Sequence, residues 1–217
     1  MLELWMVRHG QTDFSRENRF CGSIDPPLSD IGHRMAEALG EVHGRDPWDA
    51  IYCSPSTRAR QTAAPLAKRA GLEPVIDEGL REISYGEWEG MKHEEAKAKF
   101  PDVYSYWAQD TASRATPGGE TAFMVASRAA PVIERIRREH APKDGERQRV
   151  LVVSHKATVR ILVCSLLGMD VRLFRDRIGQ PVCALSRFQI KADGTALLTL
   201  LGDTSYMPAE LRAAEGT

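Results

Sequence analysis

Two short apolar runs, each cut off by a histidine, constrain this chain more than any other feature of it. The first, Leu2-Glu3-Leu4-Trp5-Met6-Val7, stops at Arg8-His9-Gly10-Gln11-Thr12, and the second, Arg149 to Val153, stops at Ser154-His155-Lys156. Runs of this length rich in β-formers read as buried strands. Gly10 lets the backbone turn where a side chain would obstruct a ligand, and open α/β sheets carry their reactive groups at such strand ends. After His155 the chain reads as a helix whose Ile161, Leu162, Leu166 and Leu167 pack on the sheet before Gly168 ends it.

The segment from Phe14 to Pro27 has no period and carries Asn18, Gly22, Asp25, Pro26 and Pro27, so it reads as a loop over the end of the first strand. Ser29 then caps a helix with Ile31, Met35, Ala38, Leu39 and Val42 at helical spacing, stopped at Gly44. Trp48 to Cys53 is a second strand, followed by Ser54-Pro55-Ser56 and a helix from Thr57 to Ala70, closed by Gly71. Arg58 falls in the first turn of that helix, where the dipole disfavours a cation. A negative group is expected beside it, and a phosphate would also take the free backbone N–H groups there.

A possible third strand spans Glu73 to Asp77. The stretch from Leu80 to Gly90 follows neither period; its three glutamates, Glu82, Glu87 and Glu89, suggest one carboxylate held in place as a general acid. Pro101 divides Lys92 to Gln109 into two short helices, with Phe100, Val103, Tyr104 and Trp107 turned inward as a lid over the site. Thr116 to Glu120 starts a long helix, about Glu120 to His140, whose Arg-rich outer face reads as solvated. Ala141 to Gln148 is a polar loop. Val182 to Ile190 and Ala196 to Leu201 form a hairpin about Asp193-Gly194, and residues 205–217 read as a tail.

Composition enters as a set of exclusions. A chain of 217 residues suits a single domain, 1–217, with a lid segment at about 84–120. A net charge of −1 offers no general attraction for nucleic acid or an anionic membrane, so anion binding has to come from a local cluster of cations. Neither a leader peptide nor a membrane span is legible. Cys21, Cys53, Cys164 and Cys183 have no metal-ligand spacing, which fits reduced thiols in the cytoplasm.

Four separated motifs now stand in order: Arg8-His9-Gly10; Arg58 within Ser54-Pro55-Ser56-Thr57-Arg58-Ala59-Arg60-Gln61-Thr62-Ala63; Glu82 ahead of Gly86-Glu87-Trp88-Glu89-Gly90; and Ser154-His155. Together, from about Leu4 to Leu167, they resemble the histidine phosphatase superfamily, the phosphoglycerate mutase-like group. The resemblance implies an α/β fold, a three-layer α/β/α sandwich with a mostly parallel central sheet. It further implies a metal-independent phosphatase with no cofactor, acting on a small phosphorylated metabolite as a monomer or homodimer. His9 would attack phosphorus, Arg8, Arg58 and His155 would bind the phosphoryl oxygens, and Glu82 would protonate the leaving oxygen and then activate water. Gln11, Thr12, Ser15, Cys21, Gly22 and Lys156 would surround the substrate.

Two positions depart from the family pattern. Ser15 stands where many relatives carry asparagine and reaches less far; Lys156 stands where glycine or asparagine is usual, and two orientations stay open for it, toward the substrate or toward solvent. The mutase branch carries an insertion and an Arg-Arg pair for the substrate carboxylate. Here about 70 residues separate Glu82 from His155, no such pair precedes an aromatic-rich segment, and Pro117-Gly118-Gly119-Glu120 occupies the region. Hydrolysis is therefore favoured over a cofactor-dependent phosphoglycerate mutase, with a non-catalytic phospho-ligand binding protein as the remote alternative.

Overall fold

The computed structural model describes residues 1–143, 146–214 and 216. In chain order the elements are β1 (Leu2–Arg8), α1 (Asp13–Arg16), α2 (Asp30–His43), β2 (Ala50–Cys53), α3 (Thr57–Ala70), β3 (Val75–Ile76), α4 (His93–Lys99), α5 (Pro101–Gln109), α6 (Ala122–Glu139), β4 (Gln148–Ser154), α7 (Lys156–Leu166), α8 (Phe174–Arg177), β5 (Leu185–Ile190), β6 (Ala196–Asp203) and α9 (Ala209–Arg212). Six strands form one sheet in the order β3-β2-β4-β1-β5-β6. The first four run parallel, and the β5–β6 hairpin adds two antiparallel strands at one edge.

Alternation along the strands divides the sheet into two buried faces. Leu2, Leu4, Met6, Val150 and Val152 pack with α6 and α7, whereas Trp5, Val7, Ile51, Leu151 and Val153 pack with α2 and α3. A strand buried on both faces reads as a continuous apolar run, and this is why β1 and β4 stand out in the sequence. The expected three-layer sandwich is the fold observed. Ser29 caps α2 through the Gly32 N–H, and Gly71 closes α3 in the left-handed region at φ 68°.

Register places the chemistry. Arg8 of β1 lies opposite Ser154 of β4, and Val153 lies opposite Cys53 of β2. Three parallel strands therefore end on one line, and His9, His155 and Ser54, the next residues of each, emerge side by side. The His9 N–H donates to the Ser154 carbonyl at 2.9 Å and the Ser54 N–H to the Val153 carbonyl at 3.0 Å, extending the ladder by one step.

Three expectations change. Val103 and Val42 are exposed rather than inward, because each lies on the flank of its helix beyond the stripe that the neighbours cover. Arg128, on the α6 face expected to be solvated, is largely enclosed and binds loop backbone. Within the expected tail, Met207 and Leu211 are buried against the α2/α3 side of the sheet; Glu215 and Thr217 of that tail, and Asp144 and Gly145 of the expected loop, lie outside the described residues.

Candidate active site

The loop leaving β1 is held from two sides. The Gly10 N–H donates to Thr62 Oγ1 of α3 at 3.0 Å, and a Cβ at Gly10 would come within 2.8 Å of the Gly32 carbonyl oxygen. His9 is thereby fixed, and its Nδ1 lies 2.8 Å from the Gly10 carbonyl oxygen. A carbonyl can only accept, so Nδ1 carries the proton of the neutral ring and Nε2 keeps a bare lone pair. Burial, then the charges of Arg58 and Arg8, hold the His9 pKa well below its ordinary value, while the bond to Gly10 opposes them.

His155 is the N-cap residue of α7 and is fully buried. Its Nε2 lies 2.7 Å from Ser54 Oγ, and its buried Nδ1 has no hydrogen-bond partner among the described residues. Burial and then Arg58 push its pKa down as well. Arg8 donates from Nη1 to the Gln180 carbonyl at 2.9 Å; burial brings its pKa down to about 10, against the opposing charge of Glu82.

The α3 N-terminus, expected to attract a phosphate, and the α7 N-terminus each carry a carboxylate of the chain itself. At α3, Asp25 accepts from the Thr57 N–H at 2.9 Å and from Arg58 Nη1 at 3.4 Å. At α7, Glu82 accepts from the Ala157 N–H at 3.1 Å and the Thr158 N–H at 3.2 Å, and also from the Ile83 N–H at 2.9 Å. Each carboxylate satisfies orphan donors and the positive end of a dipole at once. The rest of the Arg58 guanidinium donates to the carbonyls of Ile24 and Gly22, leaving Nε without a partner. Arg58 Nε and His155 Nδ1 are thus the groups here that an added oxyanion would satisfy.

Glu82 stands where two cavities meet. Arg8, His9, Thr12, Ser15, Cys21 and Lys156 line the first; Gly22, Ser54, Arg58 and His155 line the second. Ser15 Oγ accepts from the Thr12 N–H and donates to the Thr12 carbonyl, so it caps α1 as well as facing the cavity. Gln11 lines neither cavity: its side chain accepts from Ser29 Oγ at 2.7 Å, at the start of α2. Burial pushes the Cys21 thiol up to about 11. The Lys156 side chain lies in the first cavity rather than standing free in solvent.

Two further residues position the site: Arg128, from the helix face read as solvated, and Glu89, from the three glutamates offered as candidate acids. Arg128 uses all five guanidinium donors, two on the Glu120 carboxylate and three on the carbonyls of Gly79, Arg81 and Glu82. Glu89 accepts from the N–H groups of Gly22, Ser23, Ile24 and Tyr85. The sole sequence signal for Arg128 and Glu89 is a charged residue near an aperiodic loop, and it does not tell a buried clamp from a solvated one.

Among the described residues no group of three or more His, Cys, Asp or Glu is placed to hold a metal ion, and no helix is long and apolar enough to cross a membrane. Comparison with known proteins gives a consistent picture. The family model described as histidine phosphatase superfamily (branch 1) matches residues 4–202. Phosphoserine phosphatase 1 of Hydrogenobacter thermophilus is 33% identical over 174 residues, 80% of either chain. Glucosyl-3-phosphoglycerate phosphatase of Mycolicibacterium vanbaalenii is 35% identical over 170 residues, 77% of this chain and 75% of its own. The native structure of a mycobacterial glucosyl-3-phosphoglycerate phosphatase superposes with a TM-score of 0.85 at 28% identity, covering 93% of this chain and 99% of that one.

Proposed function

The chain belongs to the histidine phosphatase superfamily (branch 1), and from that premise we propose that it hydrolyses a small phosphomonoester by passing the phosphoryl group through His9. The observation that carries this reading is the 2.8 Å contact of His9 Nδ1 with the Gly10 carbonyl oxygen: it commits Nδ1–H and leaves Nε2 with a bare lone pair for attack as a neutral nucleophile.

Nε2 forms a bond to phosphorus as the ester P–O bond breaks, and the leaving oxygen takes the proton of Glu82. Glu82 then removes a proton from water, whose oxygen displaces His9 and releases inorganic phosphate. Arg8, Arg58 and His155 hold the equatorial oxygens throughout. Enzymes accelerate phosphate-monoester hydrolysis by up to ~10²¹-fold, on the order of 28 kcal/mol. One arginine in phosphoryl transfer supplies about 10³–10⁵ of that, so several fixed donors and a covalent step are required together.

The test is to trap the intermediate. With ³²P-labelled ester, an acid-labile, base-stable label is expected on His9, and His9→Ala is expected to lose on the order of 10⁴-fold or more in kcat while keeping its fold. Substantial turnover by a folded His9→Ala protein would overturn the covalent scheme. Four unpaired cysteines support a cytoplasmic setting, with small phosphorylated metabolites rather than macromolecules as partners.

A further inference from the structure

Residues of α7 and α8 line part of the first cavity, and that part is cationic. Lys156, the first residue of α7, Arg160 one turn on, and Arg175 of α8 all line it. No carboxylate among the described residues forms an ion pair with any of the three. Arg160 donates instead to the carbonyls of Ile178 and Arg175, which leaves its Nη1 donors available. The Arg175 guanidinium lies 4.8 Å from the centroid of the Trp107 ring, and Lys156 is half-buried.

The one carboxylate on the lining of this cavity among the described residues is Glu82, and its oxygens are already occupied by the backbone at the start of α7. Three cations facing one space, opposed by Glu82 and, at Arg160, by Asp176, leave an excess of positive charge that attracts an anion from solution. Burial first, and then Arg8 and Arg160, bring the Lys156 pKa down to about 7 against the opposing charge of Glu82. Arg8 and His9 line the same cavity, and Arg8 lies close enough to Lys156 and Arg160 for their charges to be felt. A ligand in it that presents its phosphoryl group to His9 therefore also meets the three cations, with Phe20, Tyr85 and Trp107 among the walls.

We propose that Lys156, Arg160 and Arg175 form a subsite for a second anionic group, so that the preferred substrates are phosphomonoesters bearing a carboxylate or a second phosphate at the far end. The inference rests on the phosphatase reading of the same site and narrows its substrate class. It also supplies an acidic-group anchor from α7 and α8, where the chain has no Arg-Arg pair ahead of an aromatic-rich segment.

The experiment compares matched esters that differ in the second acid. One pair is 3-phosphoglycerate against glycerol 3-phosphate, for a carboxylate; the other is glucose 1,6-bisphosphate against glucose 6-phosphate, for a second phosphate. The wild-type protein is expected to favour the diacid of at least one pair by about tenfold or more in kcat/KM, chiefly through KM. Lys156→Gln and Arg175→Gln, each checked for folding by circular dichroism, are expected to bring that ratio close to one; a merely structural loss would lower both esters alike and leave the ratio standing. The pair that responds identifies the second group as carboxylate or phosphate. Equal kcat/KM within both pairs, or an unchanged ratio in both variants, overturns the subsite.

Calorimetric titration of the same esters into the His9→Ala protein separates this inference from the phosphatase reading. A binding preference for a diacid that disappears with Lys156→Gln, in a protein whose wild type turns over no ester, would leave the subsite standing and reject hydrolysis. Turnover without any preference would do the reverse.

Discussion

The ring of His155 meets that of His9 edge to face, with centroids 5.2 Å apart and both side chains buried. Their proximity follows from the parallel register of β1 and β4, and it places two imidazoles in a field already set by Arg8 and Arg58. Burial, followed by those charges, keeps both rings neutral well below the ordinary histidine pKa.

A pH dependence follows. In the unfolded chain both histidines take up protons below about pH 6.5, whereas the folded site resists protonation. The unfolded state then binds more protons, so stability is full above pH 6.5 and falls as pH drops toward the folded pKa values, by up to about 1.4 kcal/mol per pH unit for each histidine. Urea melts at pH 7.5, 6.5 and 5.5 are expected to show this slope, and to show a shallower one for His9→Gln. An identical slope in the variant would mean that His9 ionises freely in the native protein.

For Glu82→Gln, phosphate release is expected to slow by roughly 10²–10⁴-fold for alkyl esters and far less for an activated aryl phosphate, whose leaving oxygen needs little protonation. Equal losses for both ester types would move the general-acid role to another group. Glu89 is a poor substitute, because it lines neither cavity.

Arg128 is a positioning residue, since its fork fixes the backbone carbonyls on either side of Glu82's loop without lining the first cavity. Arg128→Ala is expected to destabilise the protein by about 2–4 kcal/mol in urea melts and to reproduce, in weaker form, the leaving-group dependence of Glu82→Gln. Lysine cannot match a planar fork of five donors, so Arg128→Lys should recover little of the loss. Stability loss with an unaltered leaving-group profile would reduce Arg128 to a scaffold role.

Reaction class is read with phosphoglycerates and a chelator. A mutase retains its phosphoenzyme while the product reorients, which requires a dry, closed pocket; both cavities here open toward solvent. Phosphate release without stimulation by 2,3-bisphosphoglycerate, and unaffected by EDTA, is the expected result. Interconversion of 2- and 3-phosphoglycerate faster than any hydrolysis would identify a mutase instead.

The fold was legible where burial writes a pattern into the sequence. β1 and β4 are apolar on both faces and run into polar residues, and α2 and α3 carry recognisable caps. Their register, which brings His9 beside His155, is a pairing between stretches far apart in the chain and leaves no local trace. The anions at the α3 and α7 N-termini were illegible for the same reason: Asp25 and Glu82 reach them from loops 32 and 75 positions away. The turn of the Gln11 side chain toward Ser29 was illegible too, because the sequence shows that a side chain follows a strand end but not its direction.

Glu89 ties the backbone of Gly22, Ser23 and Ile24, which roofs Arg58, to that of Tyr85, which walls the first cavity. Joined through one carboxylate, the roof and the wall form a single mechanical piece, and neither can swing aside while the other stays seated. An ester whose bulk pushes on the roof therefore pushes on the wall as well, so the two sides of the cleft set the size limit of the substrate together.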